Sequence, residues 1–191
     1  CTSTDPRDRR TRPSAVFSFD GRNLLIDTAP ELRVQSLAHN LRRVDAVLYT
    51  HAHADHIVGL DDVRRFNGVA GGALNVYGSP ETLARLRRMF AYAFRDEPDY
   101  PSEKPHLVPL PVLGPFELFG RLVTPIPYQH GHTTVFGYRL GTIAYCPDGD
   151  LFLWPQVYSP GLFTAYDPAK NRWVLVKLAG GGGGMGGVCG F

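Results

Sequence analysis

Three histidines and one aspartate lie within the short segment 51–56, which reads HAHADH. Side chains two positions apart on an extended chain point the same way, so His51 and His53 can converge on one point. Asp55 and His56 follow at the start of a predicted helix and can reach a second point nearby. Neutral imidazole and carboxylate groups suit zinc, manganese or iron. The spacing therefore predicts a metal site rather than four incidental surface residues.

Two residues further along the chain are candidates to complete such a site. His130 lies in YQHG and Asp148 lies in AYCPD, and each follows an apolar run that is typical of a strand. A lone residue of either type at a strand end is more often a turn residue than a ligand. A site built on His51 and His53 still needs a third protein ligand, and this requirement makes both residues candidates.

The elements around the cluster can be predicted from apolar periodicity. The runs at 15–19 and 23–27 flank an Asp-Gly pair and predict a β-hairpin. Residues 28–31 (TAPE) have the form of a capping box, and apolar residues at 34, 37, 38 and 41 predict a buried stripe on a helix over 29–41. A buried strand at 44–49 then ends directly at the histidine cluster, and a short helix is expected after it.

Strands and helices alternate through the rest of the chain. The segment 73–77 predicts a strand, and Ser79-Pro80-Glu81 predicts a helix start. The proline-rich segment 96–111 predicts a long connection, and strand-like runs follow at 116–127 and 134–146. This order predicts an α/β sandwich with mixed sheets.

The amino-acid composition limits the classes of protein to which this chain can belong. The 191 residues are 43% hydrophobic with a net charge of +2, which is typical of a folded domain and gives no indication of a nucleic-acid partner. No apolar run is long enough to cross a membrane. Three cysteines, at 1, 146 and 189, cannot form a disulfide framework, and we expect a cytoplasmic protein.

The HAHADH segment resembles the H-x-H-x-D-H signature of the metallo-β-lactamase-fold hydrolases. Within them, the chain is most similar to the phosphoribosyl 1,2-cyclic phosphate phosphodiesterase branch. The strings that carry this likeness are DPRDRRTRPS at 5–14, GLDDVRRFN at 59–67 and GHTTVFGYR at 131–139. The resemblance covers about residues 1–150.

The resemblance implies a four-layer αβ/βα sandwich with two divalent metal ions, zinc or manganese, at one edge. It implies that Asp27 contacts the ligands and orients them, and it implies catalytic roles for Asp55 and Asp148. The ligand set that it implies is His51, His53 and His130 for the first metal, Asp55 and His56 for the second, and Asp148 bridging both.

The chain departs from the family pattern at both ends, so we expect a fold that is incomplete there. The family has a strand and a glycine-rich loop before the position of Cys1, and a C-terminal histidine that binds the second metal; no histidine follows His132. We therefore divide the chain into a hydrolase core at 1–150, without its first strand, and an atypical tail at 151–191 that is glycine-rich from 180. A shifted reading frame or a chimeric assembly would produce such a tail.

These expectations lead to a metal-dependent hydrolase that cleaves a small, cyclic phosphodiester through a metal-bound hydroxide. One alternative is a mononuclear iron site of the oxygenase type, formed by His51, His130 and Asp148 on the same fold. Another alternative is an inactive metal-binding fragment. The expected partner is the small substrate, with no membrane, and a homodimer is left open.

Overall fold

The chain folds around a six-stranded sheet that begins with the predicted hairpin. Strands β1 (Ala15–Phe19) and β2 (Arg22–Ile26) pair antiparallel. Asp20 and Gly21 make the turn with φ angles of 47° and 73°, the positive values that a tight hairpin turn requires. The computed structural model describes residues 2, 4–5, 11–95, 103–141 and 143–147, and the backbone of 152–155, 162–167, 172–177 and 189–190.

Parallel strands extend this sheet away from the hairpin. They are β3 (Ala46–Leu48), β4 (Leu74–Gly78) and β5 (Leu107–Pro111), and the sheet order is β13-β1-β2-β3-β4-β5. The short β13 (Cys189–Gly190) pairs with the outer edge of β1. Because β2, β3 and β4 are parallel, the loops that follow them all leave from the same edge of the sheet.

A second, antiparallel sheet packs on the first. It contains β6 (Phe116–Leu118), β7 (Arg121–His130), β8 (Thr133–Leu140) and β9 (Ile143–Tyr145). Buried residues of the two facing sheets, such as Leu24 and Leu48 on one and Val123 and Tyr138 on the other, form one apolar cluster. Strands β10 (Phe152–Pro155), β11 (Leu162–Asp167) and β12 (Arg172–Lys177) form a separate three-stranded sheet.

Helices cover the other face of the first sheet. Two 3₁₀ helices, Val58–Val63 and Ala91–Phe94, accompany the α-helices. Side chains such as Leu60 and Leu86 pack there against Val47 and Val76 in a second apolar cluster. The α-helices are α1 (Leu32–Ala38), α2 (Ala54–Ile57), α3 (Arg64–Ala70) and α4 (Pro80–Met89).

The described residues therefore form three layers, one of helices and two of β-sheet. The fourth layer of the expected sandwich would be helices on the outer face of the second sheet, and the described part of the chain contains none there. The expectation of an incomplete metallo-β-lactamase sandwich agrees with this architecture. No helix in the described ranges is long and apolar enough to cross a lipid bilayer.

The prediction for helix α1 was wrong in two respects. The helix spans Leu32–Ala38, not 29–41, and its N-cap is Glu31 without a capping side chain. The hydroxyl of Thr28 instead contacts the Tyr49 hydroxyl at 3.2 Å. Val34 and Leu37 are 59% and 70% exposed, so the predicted apolar stripe does not face the core.

The proline-rich connection was also only partly predicted. Residues 96–102 lie outside the described residues, but β5 occupies the end of this segment and contains Pro109 and Pro111. A strand at the edge of a sheet tolerates prolines because half of its N–H groups have no partner strand. The predicted run at 116–127 divides into β6 and β7 at a turn where Phe119 and Gly120 have positive φ.

Candidate metal centre

The candidate ligands come from loops that leave the same edge of the first sheet. Strand β3 ends at Leu48, and the chain continues through Thr50 to His53, which caps α2 with an extended backbone. Asp27 follows β2 directly, and its N–H donates to the Leu48 carbonyl at 2.9 Å. The parallel pairing of β2 and β3 therefore sets Asp27 beside the histidine segment.

The buried Asp27 carboxylate contacts several groups at this edge of the sheet. Asp27 is fully buried and adopts φ +59°, which is uncommon for a residue with a side chain. One oxygen, Oδ1, accepts from the Thr50 N–H at 2.8 Å. The other, Oδ2, accepts from the Thr50 hydroxyl at 2.7 Å and lies 2.8 Å from His56 Nδ1.

These contacts orient His56 through its ring nitrogens. Burial raises the pKa of the Asp27 carboxyl, and its contacts with His56 and Thr50 oppose that rise. A carboxylate that accepts from Nδ1–H fixes the tautomer in which Nε2 has a free lone pair. His56 Nε2 lies 3.6 Å from Asp55 Oδ2, so an imidazole and a carboxylate are adjacent at this point.

Three other histidines converge next to this pair. The candidate ligand atoms of His51, His53 and His130 all lie within 4.8 Å of one another. The ring centroids of His51 and His53 are 4.4 Å apart, and that of His130 is 5.7 Å and 5.3 Å from them. The His51 and His56 centroids are 4.3 Å apart, so the two groups of candidate ligands adjoin.

His130 reaches the cluster from the second sheet. It ends β7, and β8 returns after a turn at Gly131, where φ is +60°. Two hydrogen bonds fix β8 to the loop after β3: Phe136 N donates to the Thr50 carbonyl at 3.0 Å, and the Tyr138 hydroxyl donates to the Tyr49 carbonyl at 2.9 Å. The sheets are thus joined directly beneath the histidines.

The donor set fits a transition-metal ion. Three neutral imidazoles are the donors that zinc, manganese and iron accept in proteins, and a fourth position would remain for water or substrate. Asp55 and His56 could hold a second ion beside the first. Asp148 lies outside the described residues. The Pro147 carbonyl before it accepts a hydrogen bond from the Tyr128 hydroxyl, on the same strand as His130.

Some residues that neighbour the site were not indicated by any sequence pattern. Thr50 bonds to Asp27 and lies 3.0 Å from His51 Nδ1, yet a threonine after a strand has no spacing that marks it. Arg85 of α4, which no sequence pattern singled out, lines a cleft beside His51 and His53. His132, next to the site in sequence, is exposed.

The architecture and the histidine cluster define a metallo-β-lactamase fold. Residues 22–157 match the family described as the beta-lactamase superfamily domain, and the chain belongs to that family. The crystal structure of a diphosphatase from the PhnP family is similar, with 42% identity and a TM-score of 0.66. The match covers 76% of this chain and 54% of that one.

Curated relatives include proteins with different names. An octanoyltransferase of Porphyromonas gingivalis is 35% identical over 157 residues, which are 78% of this chain and 30% of that protein. A ribonuclease Z of Bradyrhizobium sp. is 29% identical over 141 residues, 70% of this chain and 45% of that protein. The chain thus spans at most about half the length of these proteins.

Proposed function

We propose that this chain is the metal-binding core of a hydrolase that cleaves small phosphodiesters. The observation that carries the proposal is the convergence of His51, His53 and His130 from two sheets, with ligand atoms within 4.8 Å of one another. Three protein ligands that leave a fourth position open are typical of a catalytic zinc site. We propose these three residues as ligands of the first ion.

A second ion would be held by Asp55 and His56, with Asp148 bridging the two. The 3.6 Å separation of Asp55 Oδ2 and His56 Nε2 supports this assignment. The contact between Asp27 and His56 Nδ1 supports the proposal that Asp27 orients the ligand. Asp55 is the more exposed member of the pair, with 48% of its side chain accessible, so it can also contact substrate.

The chemistry needs few protein groups beyond the ligands. A bound divalent ion would lower the pKa of a coordinated water to about 7, which would supply a nucleophile at neutral pH. Asp27 and Thr50 hold the imidazoles in fixed tautomers and orientations. We propose Asp55 and Asp148 as the carboxylates that would help to hold the ions and could accept a proton at this point.

The comparisons support this class of reaction. The names diphosphatase and ribonuclease both denote enzymes that cleave phosphorus–oxygen bonds. A small phosphodiester is proposed in preference to RNA because the net charge is only +2, which gives little attraction to a polyanion. An iron oxygenase site would leave Asp55 and His56 without a role, so we favour the hydrolase.

Hydrolysis of bis(4-nitrophenyl) phosphate by the zinc- or manganese-loaded chain tests the proposal. We expect His51→Ala to lower the rate by about 100-fold or more, because it removes a buried ligand from the reacting centre. The matched control is His106→Ala, since His106 is exposed and only its backbone contacts Asn67. Equal rates for both variants and the unmodified chain would rule out the assignment.

A further inference from the structure

Helix α2, which contains Asp55 and His56, is too short to fix its own position. It is a single turn, Ala54–Ile57, and no side chain forms a hydrogen bond at its N-cap. An isolated helical turn is unstable in water, because its formation fixes several dihedral angles for one hydrogen bond. The position of α2 therefore depends on contacts with the rest of the protein.

Thr28, in the loop after β2, supplies these contacts with all three of its polar groups. Its N–H donates to the His56 carbonyl at 2.8 Å, and its carbonyl accepts from the Gly59 N–H at 2.9 Å. Its hydroxyl donates to the Ile57 carbonyl at 3.3 Å. Thr28 is fully buried, so water does not compete for these hydrogen bonds. One residue thus binds the end of α2 and the turn that follows it.

The buried Tyr49 hydroxyl determines the direction of the threonine proton. Thr28 Oγ1 lies 3.2 Å from this hydroxyl. A carbonyl oxygen can only accept, so the single hydroxyl proton of Thr28 goes to Ile57, and Tyr49 must donate to Thr28. Tyr49 is itself fixed to the neighbouring strand, because its N–H donates to the Tyr77 carbonyl at 2.7 Å. The first sheet therefore orients the Thr28 hydroxyl toward the end of α2.

Two consecutive residues thus fix different parts of His56. The Asp27 carboxylate lies 2.8 Å from its Nδ1 and orients the ring, whereas Thr28 binds its backbone carbonyl. The other candidate histidine ligands lie outside the segment that Thr28 binds: two precede α2, and His130 ends β7. A change at Thr28 should therefore affect one group of candidate ligands more than the other.

We propose that Thr28 is a positioning residue for the second metal position. It fixes the backbone that carries Asp55 and His56, and it leaves the first position, formed by the other three histidines, nearly unaffected. The inference rests on the proposed function, which assigns two ions to the site. Loss of the Thr28 hydroxyl would then weaken the binding of one ion selectively.

Zinc titration of the metal-free chain against a chromogenic chelator measures the affinity for each ion. The ion that is lost in His56→Ala identifies the second position. We expect Thr28→Val, which keeps the side-chain shape, to raise the dissociation constant of that ion about tenfold and to leave the other nearly unchanged. Thr28→Ser, which keeps the hydroxyl, should restore the affinity of the second position.

Ser14→Ala is the matched control for the loss of a buried hydroxyl. The Ser14 hydroxyl is also buried and accepts from the N–H of Ala29, the residue after Thr28, at 3.1 Å. This variant should lower the melting temperature, as Thr28→Val does, without weakening either ion. Equal loss of the second ion in both variants, or no loss in Thr28→Val, would overturn the inference.

Hydrogen exchange in the metal-free chain separates the inference from the proposed function. If the unmodified chain binds fewer than two zinc ions, the two-ion assignment of the proposed function fails, but the contacts of Thr28 can still be tested. Thr28→Val must then speed exchange of the Gly59 amide hydrogen, which bonds to the Thr28 carbonyl, more than Ser14→Ala does. Equal exchange rates in the two variants would overturn the inference as well.

Discussion

Thr50 connects the buried Asp27 carboxylate to His51, which is also buried. Its hydroxyl donates to Asp27 Oδ2 at 2.7 Å and lies 3.0 Å from His51 Nδ1, while its N–H donates to Asp27 Oδ1. A single residue thus influences both His51 and, through Asp27, His56. Replacement of one hydroxyl group should therefore affect both proposed metal positions.

We expect Thr50→Val, which keeps the side-chain shape, to lower the free energy of unfolding by about 1–2 kcal/mol, because the buried Asp27 oxygen loses a donor. Zinc affinity should fall about tenfold, since the ligand orientation is lost. Urea titration and competition with a chromogenic chelator measure the two effects. Thr4→Val, at an exposed threonine outside the site, is the control, and an equal change there would contradict the role of Thr50.

Asp45 is the residue that ties the starts of β2 and β3 together. Its carboxylate accepts from Asn23 N, Arg22 and Arg43, at 2.5–2.9 Å. Burial raises the pKa of this carboxyl, but the hydrogen bonds from these three donors outweigh burial and hold the pKa below its usual value. The folded state therefore favours the charged form.

We expect Asp45→Asn to destabilise the protein by about 1 kcal/mol at neutral pH. A carboxyl whose pKa is lower in the folded than in the unfolded state stabilises the protein at pH values above its unfolded pKa of 3.8. This stabilisation is lost as the pH falls through the folded-state pKa. The difference between the two proteins should therefore shrink as the pH falls below about 5. Asp20→Asn, at an exposed turn residue whose carboxylate accepts from Arg121, is the control and should destabilise less at neutral pH.

At the scale of the elements, Gly59 fixes how closely the helical segment approaches the loop after β2. A Cβ at this position would overlap the Ala29 carbonyl oxygen and approach the Leu32 side chain. The Gly59 N–H donates to the Thr28 carbonyl at 2.9 Å. This close approach holds α2, and with it Asp55 and His56, against the edge of the sheet.

We expect Gly59→Ala to destabilise by about 3 kcal/mol or more, because the overlap is with backbone that cannot rotate away. Gly68→Ala is the matched control: Gly68 lies in α3 with open space around it, and alanine there should stabilise by about 0.5–1 kcal/mol. Thermal unfolding of both variants measures this contrast. Similar changes in the two would show that the packing beside Ala29 is not tight.

The sequence predicted elements best where local signals and tertiary packing agree. The hairpin at Asp20-Gly21 and the start of α4 at Ser79 are confirmed, since turn and cap residues act locally. Helix α1 was mispredicted because Thr28 bonds to Tyr49 and to the Ile57 carbonyl instead of capping. Which face of α1 is buried depends on tertiary contacts, which the spacing of apolar residues does not reveal.

The same limit applies to the site. The HAHADH segment was identifiable because its four side chains are close in sequence, and the structure brings His130 to them. The cleft position of Arg85 could not be predicted, because it depends on how α4 lies over the β3 edge and on the start of β8. The roles of these residues as ligands, and that of Asp148, stay predictions.

At the scale of the whole molecule, metal content distinguishes the proposed hydrolase from the iron alternative. We expect the purified chain to take up about two zinc or manganese ions, because two groups of candidate ligands adjoin each other. Elemental analysis after gel filtration measures this. His130→Ala should lower the content, whereas His132→Ala, at an exposed residue, should not. About one iron ion per chain would favour an oxygenase.

The proposed ligands reside on both sheets, which meet where Phe136 and Tyr138 bond to the loop after β3. A denatured chain keeps only the 51–56 segment together, so the cation would bind the native state more tightly and stabilise it by mass action, by up to about 2.7 kcal/mol at 100 times its dissociation constant. Metal supply would then set the abundance of the protein as well as its turnover. Cells starved of the ion would lose the polypeptide to proteolysis, not merely its catalysis.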